Sequence, residues 1–212
     1  MKTVARIGYW SALGAFLAAA GYSVVQILQV IGVLTFPVDE ISIFAFSILI
    51  PVPFVISLVS LHHTLPEEKR IWSHIAIMLG VMYAVLVSIV YPTQLALVIP
   101  ARLTGKGDSV QFLMVSKGTF MWVMDGAGYI LMGLATLFAA GSFIGNSSQR
   151  WLRWFLIANG LLDPLIIAIY IFPGLILFGS LWIVTAPGSM LLLARYFHLI
   201  ADDFADNGAG ER

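Results

Sequence analysis

The chain has 212 residues, 60% of them hydrophobic and only 10% charged, with a mean hydropathy of +0.96. That composition excludes an ordinary soluble domain and belongs to the membrane class. Eleven Lys and Arg balance eleven Asp and Glu, which offers nothing to nucleic acid, and the absence of cysteine excludes disulfides, thiolate metal sites and cysteine nucleophiles.

Residues 1–23, MKTVARIGYWSALGAFLAAAGYS, have the outline of a secretory signal: Lys2 and Arg6, an apolar run, then Ala18-x-Ala20. The run continues past Gly21 to Leu34, far beyond a normal signal core, which predicts a retained first helix. Six stretches in all reach the ~20 residues needed to cross ~30 Å of hydrocarbon: 7–34, 41–61, 71–99, 118–143, 151–172 and 175–197. The third, at 1.5 Å per residue, is about 43 Å long and must tilt or protrude. The expected fold is an all-α integral membrane protein, a six-transmembrane-helix bundle over residues 1–200 with a short polar tail, 201–212.

Lys2, Arg6, Lys69, Arg70, Arg150, Arg153, Arg195 and Arg212 fall on one side of these spans, and Arg102, Lys106 and Lys117 on the other. That asymmetry predicts cytoplasmic N and C termini, so the expected location is a multi-pass membrane protein, of the inner or plasma membrane if the source is bacterial. Trp10, Trp72, Trp151 and Trp154 lie at the cytoplasmic boundary and Trp122 near the outer one, as amphipathic rings should. Trp182 is expected near mid-membrane, where its indole N–H wants an acceptor.

Pro51 and Pro53 fall in the second span, Pro92 in the third, Pro164 in the fifth and Pro187 in the sixth. Each removes a donor and crowds the carbonyl four residues earlier, so several kinked helices are expected. A three-plus-three division pairs the second span with the fifth, both interrupted, which is a pointer toward inverted-repeat transporters. No residue-level similarity between the halves accompanies it. Gly14, Ala18 and Gly21 on the first span, and Gly126, Gly133 and Ala140 on the fourth, form small-residue seams for helix packing. The same Gly/Ala faces suit a homo-oligomer or a partner subunit.

Two acids lie within spans. Asp163 falls about 18 Å beyond Trp151, near the midplane, and Asp125 about 10 Å beyond Gly118 from the other side. A carboxylate at such depth is a site hypothesis by default. Two acids in one cavity would be desolvated and would repel each other, the physical basis of a proton-linked or cation-binding site. Asn159 is one turn from Asp163, and Gln26, Gln29 and Gln94 lie in the outer halves of their spans near Tyr22, Tyr91 and Tyr129. The expected ligand or ion pocket is therefore Asp163, Asp125, Asn159, Gln94, Gln26 and Gln29, with interhelical amide bonds as the structural alternative.

His62, His63, His74 and His198 gather at the cytoplasmic ends of spans, with Glu67, Glu68, Asp202 and Asp203 beside them. Imidazole and carboxylate would suit zinc, iron or a haem axial position, though His-x11-His is no ligand spacing on one helix. GKGDS at 105–109 lacks the frame of a phosphate loop. No G-x-S-x-G elbow occurs, and no lysine lies inside a span to carry a retinal. Asp125-Gly126 begins like the motif of CDP-alcohol phosphotransferases, but its Ala-Arg and later acids are missing. Nothing in the sequence requires a cofactor.

The first functional expectation is small-molecule or ion binding and transport through a polar pocket centred on Asp163, with hinges at Pro164 and at Pro51 and Pro53. The second is a membrane enzyme acting on a lipid or hydrophobic substrate through His62, His63 and His74. The third is a non-catalytic subunit of a larger membrane complex.

Overall fold

Lipid offers no partner to a backbone amide, so a chain this apolar can cross it only as helices that satisfy their own N–H and C=O groups. The computed structural model describes residues 1–209, and the side chains of all of them but Pro173, Leu177 and 203–209. Among these residues the chain is helical throughout, with short connections and no strand. Six segments are long and apolar enough to cross a membrane: Lys2–Val30, Val38–Thr64, Glu67–Leu103, Phe120–Gly141, Ser147–Ile171 and Trp182–Asp202. The last corrects the sequence boundary. Residues 173–181 hold two Gly and a Pro and form a 3-10 turn at Pro173–Leu175 and the short α9 (Ile176–Gly179), so the sixth span begins at Trp182.

The first span is α1 (Lys2–Val30) and the fourth is α6 (Phe120–Gly141). The second is divided into α2 (Val38–Ile48) and α3 (Pro51–Thr64), and the fifth into α7 (Arg150–Gly160) and α8 (Asp163–Ile171). Pro51 and Pro164 open α3 and α8, where a missing N–H is harmless. Pro92 and Pro187, by contrast, lie within continuous helices, α4 (Arg70–Thr93) and α10 (Trp182–Ala209). The third span widens just after Pro92 into a π-helical turn, Gln94–Val98, before α5 (Ile99–Leu103). Such bulges often sit at functional sites.

The spans form a closed ring in which α1 packs on α3, α3 on α4, α4 on α6, α6 on α7, α7 on α10, and α10 back on α1. α1 and α10 run antiparallel: the Tyr9 and His198 rings are 5.6 Å apart at one end, and the Ser23 hydroxyl donates to the Ile183 carbonyl at 2.9 Å toward the other. Inside the ring Phe54, Leu58, Leu156, Leu193 and Phe197 are fully buried, while Leu17, Val52, Met78, Val85 and Leu191 face outward. Apolar burial drives nothing when the surroundings are equally apolar, so close packing must hold the helices together. Bare glycines supply it: Phe197 lies over Gly8, Phe46 over Gly21, Phe155 over Gly188 and Trp72 over Gly141.

Gly32 and Gly105 end α1 and α5 with φ of 76° and 74°. In each case the next residue's N–H reaches back five residues, Val33 to Leu28 and Lys106 to Ala101, closing a Schellman cap that L side chains resist. At the end of the bundle that carries the N-terminus, Lys69 Nζ donates to the Ile144 carbonyl at 2.9 Å and links two connections.

Candidate functional site

The ring is closed by packing through its middle and open at the end away from the chain termini. In the middle only a void of about 10 Å³ remains, among Ala19, Ile50, Phe54, Met132, Thr136, Asn159, Trp182, Ala186 and Met190. That is room for about one water. Beyond Trp182, which borders both spaces, a cavity of about 860 Å³ is walled by α1, α2, the π turn, α6, α8 and α9.

One wall is a ladder of hydrogen bonds along α1. The Tyr129 hydroxyl donates to that of Tyr22 at 3.3 Å, Tyr22 to Gln26 Oε1 at 3.0 Å, Gln26 Nε2 to Gln29 Oε1 at 2.8 Å, and Gln29 Nε2 to Asp39 Oδ2 at 2.8 Å. Positions 22, 26 and 29 share a helix face, so the ladder follows from spacing alone. Gln94, 2% exposed, stands on the π turn. Its Nε2 donates to the Leu113 carbonyl at 2.7 Å and its Oε1 accepts from the Val115 N–H at 3.2 Å, which fastens the outer connection against the bundle.

The opposite wall is α6. Thr119 caps it, accepting from the Trp122 N–H at 3.3 Å, and Trp122, Asp125, Gly126 and Tyr129 then follow at helical spacing on the cavity side. Asp125 Oδ1 is sealed from solvent without a hydrogen-bond partner. Tyr22, Tyr83, Tyr91, Tyr129 and Tyr170 all stand near enough to interact electrostatically with this acid, and Tyr91 is within side-chain hydrogen-bonding reach of it. Trp182 meets Tyr22 and Tyr129 edge-to-face, with ring centres 5.3 and 5.0 Å apart, and Trp122 meets Tyr170 at 4.9 Å. At the rim Arg102 pairs with Glu40 and lies 4.0 Å from the centre of the Phe36 ring.

Four of the six expected pocket residues, Gln26, Gln29, Gln94 and Asp125, thus line one cavity. The other two lie elsewhere. Asn159 sits deeper, donating to Thr136 Oγ1 at 3.1 Å and accepting from Thr185 Oγ1 at 2.8 Å, which ties α7 to α6 and α10. The Asp163 carboxylate rests on Gly133 of α6, 5% exposed, with neither oxygen hydrogen-bonded. Gly133 is eight residues beyond Asp125 on the same helix, about 12 Å along its axis, so the two acids do not face one space.

No family model, curated protein or solved structure matches this chain. Its function has to be read from the cavity itself. Glu40, Arg102, Trp122, Tyr170 and Trp182 line it without having been expected there. The repeat 122-125-126-129 on α6 was the available signal for Trp122. Glu40 and Arg102 lie on α2 and α5, near the ends of separate spans, whose approach no periodicity describes.

The histidines form a separate group at the terminal end. The His62 ring is 5.5 Å from His63 and 5.9 Å from His74, and His62 Nδ1 lies 3.0 Å from Ser73 Oγ. His198 stands apart from them, beside Asp202 at 3.3 Å. Among the described residues no three His, Asp or Glu side chains come together to hold a metal ion. The side chain of Asp203, also considered for this group, lies outside the described residues.

Proposed function

We propose that this polytopic membrane protein binds a small molecule in the cavity beside Asp125 and moves it toward the membrane interior. One observation carries the reading: a preformed space of about 860 Å³ with largely apolar and aromatic walls and a few convergent polar groups. Drug-sized ligands occupy pockets of ~300–1,000 Å³ with this character. The Lys/Arg asymmetry supports cytoplasmic termini, in which orientation the cavity opens to the outer side. Passage would then require the packed middle to part. Ile50 and Asn159, which border the small void there, sit at the interruptions of the second and fifth spans. These are natural hinge points, since the ends of helical elements absorb backbone rotation.

The reading is tested by a thermal-shift screen of the purified protein in nanodiscs against amphiphilic alcohols, amines, quaternary ammonium salts and carboxylates. Compounds that raise the Tm of the native protein more than that of Ile43→Trp, whose indole narrows the cavity from the α2 wall, support it. A panel with no such compound overturns it.

A further inference from the structure

The charge and aromatic content of the cavity say more than its size. Three acidic or basic side chains, tyrosine aside, line it among the described residues: Glu40, Arg102 and Asp125. Arg102 is engaged by Glu40 and by the face of Phe36, so these two charges cancel at the rim. Asp125 is left uncompensated, with one oxygen sealed and unpartnered. An acid in such a place calls for a positive charge or a proton.

The walls select the kind of positive charge. A hard metal cation gathers six or more oxygens, or a tight cluster of carboxylates, and the described residues hold no such cluster. The cavity that Asp125 lines is rich instead in aromatic rings, Tyr22, Tyr129, Trp182, Trp122 and Tyr170, which meet in edge-to-face pairs. Ring faces carry negative charge density and attract a weakly hydrated cation, which is how aromatic cages recognise substituted ammonium groups. An organic anion finds no free cation here.

We propose that the ligand of this cavity is an organic cation, a hydrophobic body carrying a quaternary or alkylated ammonium that sits between the Tyr22, Tyr129 and Trp182 rings and the Asp125 carboxylate. The proposal rests on the reading of the cavity as a ligand site and adds the chemical class of what enters it.

The test compares benzyltrimethylammonium with neopentylbenzene, the same shape with carbon in place of the charged nitrogen, by calorimetric titration of the protein in nanodiscs. Ile43→Trp serves as the narrowed-cavity control. The expected result is at least about tenfold tighter binding of the ammonium to the native protein, with binding weakened in Ile43→Trp. In Asp125→Asn the preference should vanish while weak binding of both compounds remains. Trp182→Leu should cut the preference severalfold and keeps the charge question answerable if the Asp125 variant does not fold. Equal binding of the two compounds to the native protein overturns the cation class and leaves the cavity reading standing. Binding of neither, or binding of both that Ile43→Trp leaves unaltered, overturns both.

Discussion

The Asp163 carboxylate of α8 occupies the space that a side chain on Gly133 of α6 would need. A span containing an acid and a span containing a glycine stripe are thereby fitted to each other at one point, deep among the helices and away from the outer cavity. Neither Asp163 oxygen has a hydrogen-bond partner, so the contact costs desolvation that ordinary helix packing would avoid.

Gly133→Ala should therefore destabilise the bundle although alanine is the better helix former. Forcing the carboxylate aside is expected to cost ~2 kcal/mol, a fall in Tm of roughly 4–8 °C. Gly174→Ala, where a β-carbon meets nothing within 4 Å, is the control and should leave Tm unchanged. Equal behaviour of the two variants would refute the fit between Gly133 and Asp163.

Asp163→Asn keeps the shape and removes the ionisable group. Since no donor is lost with the carboxylate, stability should hold or rise by about 1 kcal/mol. Thermal unfolding in nanodiscs measures this, and a drop of more than about 1 kcal/mol would show that the carboxylate holds a partner.

Asn159 links three spans through Thr136 and Thr185. A double-mutant cycle between Asn159→Ala and Thr185→Val should give a coupling of ~0.6–1.7 kcal/mol, the range of interhelical bonds in membranes. A coupling near zero would mean that the 2.8 Å contact does not persist in the bilayer.

The Glu40–Arg102 pair joins α2 to α5 with both side chains about a quarter exposed. Such a pair is worth at most ~1 kcal/mol and is screened by salt. Raising NaCl from a few tens of millimolar to half molar should lower the Tm of the native protein slightly, while Glu40→Gln should start lower and respond little. A native protein indifferent to salt would mean that the pair contributes nothing.

The six spans were legible because bilayer thickness imposes a length and a composition that no soluble helix shares. The faces of the outer cavity were legible in part. Gln26 and Gln29 share a face by spacing, and Asp125 and Gln94 lie at comparable depth, but depth does not say which way a side chain turns. For Asp163 that was decisive: counting residues put it near the midplane, and only the seating of α8 on Gly133 turns it away from the cavity. The prolines illustrate the same limit. Pro51 and Pro164 each follow a broken helix, whereas Pro92 and Pro187 sit in unbroken ones, a difference that the prolines alone do not announce.

The bonds that climb α1 from Tyr129 to Asp39 all point the same way, each donor facing the next acceptor until a carboxylate, which can only accept while ionised, ends the series. Asp39, outside the lining of the cavity, thus acts as a polarity clamp. It dictates which end of each glutamine amide faces which neighbour, and hence the hydrogen-bond sense of the whole wall. An amide at position 39 would release that sense and let both glutamines turn over, changing what the wall offers a guest without altering one lining residue.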